Sequence, residues 1–170
     1  MRKLLLGVLS LLLTGCGSYP KTVKPIQPFD VNKYVGKWYE IARLDHSFER
    51  GLEQVSAEYT ILEDSRVKVV NRGFSTTNNA WKEAVGKAYL AGEKDEGYLK
   101  VSFFGPFYSS YVVFGLDEEY QYAYVSGPNH NYLWLLSRKP LVEEQVVKRF
   151  VKTARDRGFD TENLIYVKQK

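Results

Sequence analysis

Short stretches in which apolar and polar residues alternate recur along the chain from residue 37 to residue 138. They are rich in aromatic and β-branched side chains, and a period of two with this composition indicates β-strands that bury one face. The segments between them are short and carry turn residues, as in Thr77-Asn78-Asn79 and Gly105-Pro106. The pattern predicts eight strands, over residues 37–46, 53–63, 66–74, 82–91, 97–104, 110–117, 120–126 and 132–138.

Consecutive short strands joined by tight turns favour an antiparallel up-and-down β-barrel. Closing the sheet on itself leaves no edge strand unpaired, which removes the main liability of such a sheet. A β-sandwich is the alternative that the same strand pattern allows. The expected fold class is therefore all-β, with an eight-stranded antiparallel barrel as its main body.

The hydrophobic period changes after the eighth predicted strand. Over residues 141–157 the apolar side chains recur at helical spacing, and Glu, Lys and Arg occupy the opposite face. Acidic residues stand near the start of this segment and basic residues near its end, which matches the helix dipole, and Gly158 provides a stop. The pattern predicts one C-terminal amphipathic helix that lies on the sheet, followed by a short closing strand over residues 164–167.

The N-terminus has the parts of a bacterial export signal. Arg2 and Lys3 precede an apolar run over residues 4–13, and small residues follow before Cys16, the only cysteine. The apolar run is too short to be a transmembrane helix. We therefore predict a signal peptide over residues 1–15.

Residues 13–16, with the sequence Leu-Thr-Gly-Cys, resemble the lipobox of bacterial lipoproteins. The resemblance implies a diacylglyceryl group on the Cys16 sulfur, cleavage before this residue, and acylation of the new amino group, typically with palmitate. Several acyl chains, at about 0.8 kcal/mol per buried methylene, hold a protein durably on a membrane. Gly17 and Ser18 follow Cys16, and the absence of an aspartate there resembles lipoproteins of the outer membrane that face the periplasm.

The rest of the chain divides into two predicted regions. Residues 16–33 contain three prolines among polar residues and predict a lipidated, extended linker, and residues 34–170 predict one barrel domain. Loss of the signal peptide removes two of the positive charges behind the formal net charge of +4, so the mature chain is nearly neutral. A nearly neutral chain gives no electrostatic case for binding nucleic acid. A single cysteine excludes an intrachain disulfide, so packing and strand pairing must hold the barrel.

Trp38 stands at the start of the first predicted strand, two residues after Gly36. A large ring at this place can plug one end of a barrel. Arg138 closes the eighth predicted strand, and in an up-and-down barrel that position lies at the same end as Trp38. We therefore expect the guanidinium of Arg138 to cover the indole, a cation–π contact that contributes about 0.5 to 2 kcal/mol.

The run Gly36-Lys37-Trp38-Tyr39 resembles the first sequence motif of the lipocalins, small β-barrels that carry apolar ligands, and Arg138 stands where their third motif places an arginine. Their second motif resembles the turn over residues 116–120, which keeps Asp117 and a tyrosine but lacks the usual threonine. The resemblance covers residues 34–170 and is nearest to the bacterial outer-membrane lipoprotein lipocalins. It implies a closed-end structural motif of Gly36, Trp38, Asp117 and Arg138.

The barrel interior is expected to hold either packed side chains or one small ligand. Lys87 and Lys100 should point to solvent, which places their neighbours in each strand inside. Small residues on several strands then leave room beside larger aromatic ones, although a fully packed interior is the alternative. The candidate ligand-binding residues are Ala57, Tyr59, Gly86, Ala88, Val101, Phe103, Tyr111 and Trp134.

Aromatic residues gather where the fifth predicted strand ends, in Phe103-Phe104 and in the predicted loop over residues 105–110. This loop should lie at the open end of the barrel. Exposed aromatic residues at a barrel mouth are expected where apolar ligands enter, where a membrane is contacted, or where two copies of the chain meet. A homodimer is therefore one of the partners that this rim allows.

Three other polar residues need a place in the barrel. Glu40 shares the inward parity of Trp38, so its carboxylate is expected either to form the polar end of a pocket or to be hydrogen-bonded near the closed end. His46 and His130 fall in predicted loops of the open end, where solvated side chains are expected. Their spacing does not suggest a metal site, and we predict no metal and no cofactor.

The sequence contains no motif of a hydrolase, a zinc protease or a phosphate-binding loop, so we predict that the protein is not an enzyme. The resemblance implies that the ligand is a fatty acid or lysophospholipid. It also implies storage or transport of that lipid in the cell envelope, by a protein anchored to the outer membrane through Cys16. The alternatives are a lipid-modifying enzyme on the same scaffold and a structural envelope lipoprotein with a filled barrel.

Overall fold

The structure is a computed structural model that describes residues 19–170. The predicted signal peptide and Cys16 lie outside the described residues. No helix within the described part of the chain is long and apolar enough to cross a membrane.

A single antiparallel sheet closes on itself to form the barrel. Each strand pairs with the next along the chain, and the eighth pairs with the first. This closed sheet confirms the predicted barrel and rules out the sandwich alternative. The strands are β1 (Gly36–Arg43), β2 (Leu52–Ile61), β3 (Val67–Ser75), β4 (Ala80–Leu90), β5 (Tyr98–Phe104), β6 (Phe107–Leu116), β7 (Tyr122–Ser126) and β8 (Leu133–Ser137).

Two strands differ clearly from their predicted ranges. β6 begins at Phe107 and not at residue 110, because Phe107 pairs with Phe104 around a two-residue turn in which Gly105 has a positive φ of 55°. β1 ends three residues earlier than predicted, after a bulge between Glu40 and Ala42. The residues released from β1 form a loop over residues 44–51 at the mouth of the barrel.

The helices are α1 (Val31–Tyr34), which the sequence pattern did not predict, and α2 (Glu144–Arg155), which lies within the predicted helix. The Asp30 side chain caps α1 by accepting a hydrogen bond of 2.9 Å from the Asn32 backbone N–H. α2 buries an apolar stripe against the outer wall of the barrel. The buried residues of this stripe are Val146, Phe150 and Ala154.

The described part of the predicted linker packs on the barrel. Val23 is 1% exposed and belongs to the cluster beneath α2. Further along, the Ile26 N–H donates to the Val113 carbonyl at 2.9 Å, and the Phe29 N–H donates to the Asp95 carbonyl at 2.7 Å. Residues 19–30 therefore form a strap that runs to the closed end, where α1 crosses the barrel.

The C-terminal residues follow a 3-10 turn at Thr161–Asn163 and form β9 (Ile165–Tyr166), which pairs with the end of β1. Beyond β9, the Gln169 side-chain amide donates to the backbone carbonyls of Glu40 and Val55, at 2.7 and 2.9 Å. These two carbonyls belong to β1 and β2. The C-terminal segment thus joins the two strands where their direct pairing has ended.

Candidate ligand-binding site

The closed end of the barrel is plugged by Trp38, whose side chain is fully buried. Its indole N–H donates to the Tyr34 carbonyl at 2.8 Å, so α1 fixes the orientation of the ring. The Arg138 guanidinium lies 3.9 Å from the centre of the same ring. The expected contact between the start of β1 and the end of β8 is therefore present, as the barrel topology requires.

Arg138 also binds the chain through a set of backbone carbonyls. Its Nη2 donates to Lys33 and Tyr34, at 2.8 and 3.0 Å, and its Nη1 donates to Lys37 at 3.0 Å. Its Nε donates to the Tyr120 carbonyl at 3.2 Å. One guanidinium therefore links α1, the start of β1 and the turn between β6 and β7.

Gly36 and Asp117 support this closed end in different ways. Gly36 has a positive φ of 97°, and a Cβ there would lie 3.3 Å from the Arg138 guanidinium. Asp117 does not touch Trp38; its Oδ1 accepts from the backbone N–H groups of Gln121 and Tyr122, at 2.7 and 2.6 Å. Asp117 therefore shapes the β6–β7 turn without the missing threonine.

The strand register directs all eight candidate pocket residues into the barrel. Residues directly opposite each other share a face, and Ala57 lies opposite Trp38 while Ala88 lies opposite both Val67 and Val101. The other candidates follow the same register. The outward positions that the sequence assigned to Lys87 and Lys100 are consistent with it.

The interior is packed toward the closed end and more open toward the mouth. Tyr59 and Ala88 are buried with Leu99 in the packed floor, and Ala88 is 3% exposed. Other inward side chains, from the middle of the barrel to the mouth, keep part of their surface accessible, which indicates open space because they face only the inside of the barrel. The partly exposed candidates are Ala57, Val101, Phe103, Tyr111 and Trp134.

Gly86 does not provide the free space that its size suggested. A Cβ on Gly86 would lie 2.8 Å from the Phe103 ring and 2.7 Å from the Ser102 carbonyl. The place is therefore already used by a neighbouring aromatic side chain. Of the small candidates, Ala57 is the one that faces open space.

Three tyrosine hydroxyls meet above the floor. The Tyr111 hydroxyl lies 2.7 Å from that of Tyr34 and 2.9 Å from that of Tyr59. Burial raises the pKa of all three phenols, so they stay neutral. Three hydroxyl protons share two hydrogen bonds, and one proton therefore remains available to a further acceptor. Tyr34, which completes this group, was not among the candidates from the sequence.

A buried ion pair lies on β1 nearer the mouth. Arg43 Nη1 donates to Glu40 Oε1 at 2.7 Å, and Arg43 Nη2 donates to the Glu49 carbonyl at 2.9 Å. Both side chains of the pair are almost fully buried. The bulge in β1 turns Arg43 inward, so the carboxylate of Glu40 is paired toward the mouth and not at the closed end.

Glu49 of the mouth loop extends this polar group. Its Oε2 accepts from the Trp134 indole N–H at 3.1 Å and lies 2.7 Å from His46 Nε2. His46 is buried, with the centre of its ring 3.9 Å from that of Phe48. The prediction of a solvated His46 was therefore wrong.

His130 is also not a free loop residue. Its Nε2 lies 3.0 Å from the Thr22 hydroxyl and 2.9 Å from the Arg157 carbonyl. These contacts join the strap, the mouth and the end of α2. Across residues 19–170, no group of three or more His, Cys, Asp or Glu side chains could hold a metal ion.

The pKa values of the two buried carboxyls, Glu40 and Glu49, shift in opposite directions. Burial, together with the charge of Glu49, raises the pKa of Glu40 well above its usual value, although Arg43 opposes this. Burial also disfavours ionisation of Glu49, but its contacts with His46, then those with Trp134 and Arg43, outweigh burial and lower its pKa. Of the two, Glu40 is therefore the carboxyl whose ionised form the folded barrel disfavours.

Replacing Glu40 with glutamine should change how stability depends on pH. A raised pKa means that the folded state disfavours ionised Glu40, so wild-type stability should fall as pH rises above about 4.5 and through the raised pKa. A tenfold difference in proton affinity between the folded and unfolded states corresponds to about 1.4 kcal/mol. Denaturant unfolding between pH 4.5 and pH 8 should therefore show that the free energy of unfolding of Glu40→Gln increases, relative to that of the wild type, as pH rises. A constant difference, equal to that of the exposed control Glu58→Gln, would contradict the buried-carboxyl account.

Comparison with known proteins bears on this site. A family model described as "Lipocalin-like domain" matches residues 29–169. The chain is 58% identical to "Outer membrane lipoprotein Blc" of Vibrio cholerae, over 100% of both chains. It is 44% identical to the protein of that name from Escherichia coli K12, covering 93% of this chain and 90% of the relative. It is 34% identical to "Temperature-induced lipocalin-1" of Arabidopsis thaliana, covering 85% and 81%.

Solved structures give the same fold. Insecticyanin from the tobacco hornworm Manduca sexta superposes with a TM-score of 0.72, covering 89% of this chain and 87% of that one. The sequence identity is 23%, so this likeness concerns the fold alone.

Proposed function

The chain belongs to the lipocalin family and is an outer-membrane lipoprotein, and we propose that it holds a fatty acid or lysophospholipid in the mouth half of its barrel, for storage or transport of lipid in the envelope. The family relationship suggests a binding protein and not an enzyme. In this proposal Cys16 carries the lipid anchor. It lies only three residues before Tyr19, the first residue of the described strap.

The observation that carries this proposal is the contrast between the two halves of the interior. The floor is packed, whereas Ala57, Val101 and Phe103 keep accessible surface although they face inward. Apolar walls of this kind favour an acyl chain, whose burial contributes about 25 cal/mol per Å². A filled barrel would have buried these side chains as completely as it buries Ala88.

Polar groups around the open space suit an amphiphile. Below it, the tyrosine hydroxyls retain one proton to donate, and at its side the buried Asn71 Oδ1 has no hydrogen-bond partner among the described residues. Toward the mouth lie the Arg43–Glu40 pair and Glu49. A ligand with one polar group and a long apolar chain can satisfy such a site, whereas a wholly apolar ligand leaves polar atoms unpaired.

Quenching by a brominated fatty acid tests this proposal. Trp134 faces the open space, Trp38 is sealed at the closed end and Trp81 is exposed outside. A brominated fatty acid should therefore quench the protein's emission saturably at one ligand per chain. The quenching should be strongly reduced in Trp134→Phe and kept in Trp81→Phe.

Native mass spectrometry of protein purified from membranes, followed by organic extraction, would identify the lipid. Two results together would refute the proposal: no co-purifying lipid and no saturable quenching by fatty acid or lysophospholipid. Quenching that is unchanged in Trp134→Phe but lost in Trp81→Phe would place the ligand outside the barrel.

A further inference from the structure

We propose that the mouth of the barrel docks on the bilayer that holds the lipid anchor, with Phe104 and Phe107 inserted among the acyl chains. This inference rests on the proposed function for the anchor at Cys16. It concerns a surface outside the ligand site and assigns it one partner, a lipid surface.

Phe104 and Phe107 are the most exposed large apolar side chains of the described residues, at 80% and 78%. They pair with each other across the tight Gly105–Pro106 turn at the tip of the β5–β6 hairpin. Neither ring stacks on another aromatic ring in the described part of the chain. Phe48, in the mouth loop after β1, is 61% exposed and adds a third apolar side chain to the same end.

Charge is distributed unequally between the two ends of the barrel. At the mouth, the segments 76–79, 105–106 and 127–132 contain no Asp, Glu, Lys or Arg. The remaining mouth loop carries Asp45 and Arg50, which pair with each other at 2.6 Å, and Glu49, which is buried. The mouth can therefore approach apolar lipid without leaving an unpaired surface charge in these loops.

The closed end has the opposite character. Its loops over residues 62–66, 91–97 and 117–121 are rich in charged side chains, most of them acidic. Such loops would lose hydration on entering a bilayer and would be repelled by anionic lipid headgroups. Of the two ends, only the mouth is suited to contact with a membrane.

The strap contacts the mouth close to the point where the anchor is attached. The Tyr19 ring packs 4.9 Å from that of Tyr98, the first residue of β5, and the same strand runs from there to Phe104 at the mouth over about 20 Å. Three residues later, the Thr22 hydroxyl lies 3.0 Å from His130 of a mouth loop. Cys16 can be no more than about 10 Å of extended chain from Tyr19. The strap thus contacts the mouth at Thr22, and the short segment before it leaves the mouth, with its two phenylalanines, within reach of a membrane that holds Cys16.

Docking in this orientation gives the ligand site a direct route to lipid. The open half of the interior faces the mouth, so an amphiphile could pass between the bilayer and the barrel without crossing water. The hairpin tip would then act as the contact that holds the mouth against the surface.

A fluorescent probe on the hairpin tests the proposal in the intact acylated protein. Because the only natural cysteine is the anchor, Phe104→Cys introduces one free thiol that can carry an environment-sensitive dye. Leu141→Cys, at an equally exposed site (76%) beyond the closed end, is the matched control. In vesicles of phosphatidylethanolamine and phosphatidylglycerol, the dye at position 104 should shift to the blue and be quenched by nitroxide-labelled lipid, and the dye at position 141 should do neither.

A second variant keeps the proposal testable if the dye disturbs the tip. Phe104→Ser with Phe107→Ser should slow transfer of a fluorescent fatty acid from vesicles to the barrel about tenfold, with affinity for the free fatty acid unchanged. Unchanged transfer would overturn the proposal, as would identical dye spectra at positions 104 and 141. A blue shift that grows with the protein-to-lipid ratio would mean that a second copy covers the tip, which also overturns it. Failure of the protein to remain with the vesicles would instead refute the anchor.

Discussion

Replacing Trp38 with alanine should lower the free energy of unfolding by about 3 to 5 kcal/mol. The ring is fully buried and packs 5.0 Å from that of Tyr34, and its loss would leave a cavity at the closed end. It would also remove the surface on which Arg138 stacks. Denaturant unfolding measures the change, with Trp81→Ala as the control, because Trp81 lies on the outer face and is 54% exposed.

The partner variant Arg138→Ala should destabilise the barrel by about 1 to 3 kcal/mol, through lost stacking and lost hydrogen bonds to the carbonyls of α1 and the β6–β7 turn. The affinity for a fatty acid should change little, since Arg138 lies outside the interior. If Trp38→Ala lowered the free energy of unfolding no more than the surface control Trp81→Ala does, the stability of the closed end would not depend on Trp38.

Replacing Ala57 with tryptophan should weaken fatty-acid binding at least tenfold, or about 1.4 kcal/mol. Ala57 points inward, opposite Trp38 on one side and Asn71 on the other, and it keeps accessible surface. The added ring would occupy the open space and compete with the ligand. Isothermal titration calorimetry measures the affinity, and thermal unfolding should show a barrel that remains folded.

The matched variant is Ala88→Trp, which adds the same ring to the packed floor. Since Ala88 is 3% exposed, this ring has no space and should overpack the floor, at a cost of about 1 to 3 kcal/mol of stability. The two variants thus separate open interior from filled interior. Unchanged affinity in Ala57→Trp would mean that the ligand does not reach the space beside Ala57.

The strand pattern could be predicted because each barrel strand has one solvent-exposed and one buried face, so polar and apolar residues alternate along the sequence. The meeting of Trp38 and Arg138 could be predicted for a related reason. Chain order in an up-and-down barrel puts the start of the first strand and the end of the eighth at one end, whatever the details of the turns.

The inward turn of Arg43 could not be predicted from alternation. Counting from Trp38 in steps of two places Ala42 inside and Arg43 outside, but the bulge after Glu40 reverses this. A bulge depends on hydrogen bonds to neighbouring strands, and its effect on side-chain direction has no period. The polar group formed by Glu40, Arg43 and Glu49 could therefore not be predicted from the pattern of single strands.

The packing of the strap could not be predicted for a different reason. Val23 and Phe29 are buried, yet they are separated by prolines and polar residues at irregular intervals. An extended segment that follows the surface of another element has no regular buried face. The spacing of its apolar residues is set by the surface of the barrel, so it shows neither a helical nor a strand period. Gly86 shows the same limit within the barrel, since its free volume depends on where the Phe103 ring turns.

The way in which Arg138 closes the barrel determines which of the positions around it can accept other amino acids. Its hydrogen-bond partners are backbone carbonyls, at Lys33, Tyr34, Lys37 and Tyr120. Every amino acid has a carbonyl, so the side chains of Lys33 and Lys37 can change without loss of an acceptor, provided the local backbone is kept. Arg138 has no such freedom, because no other side chain offers the same fork of donors together with a flat cation for the indole.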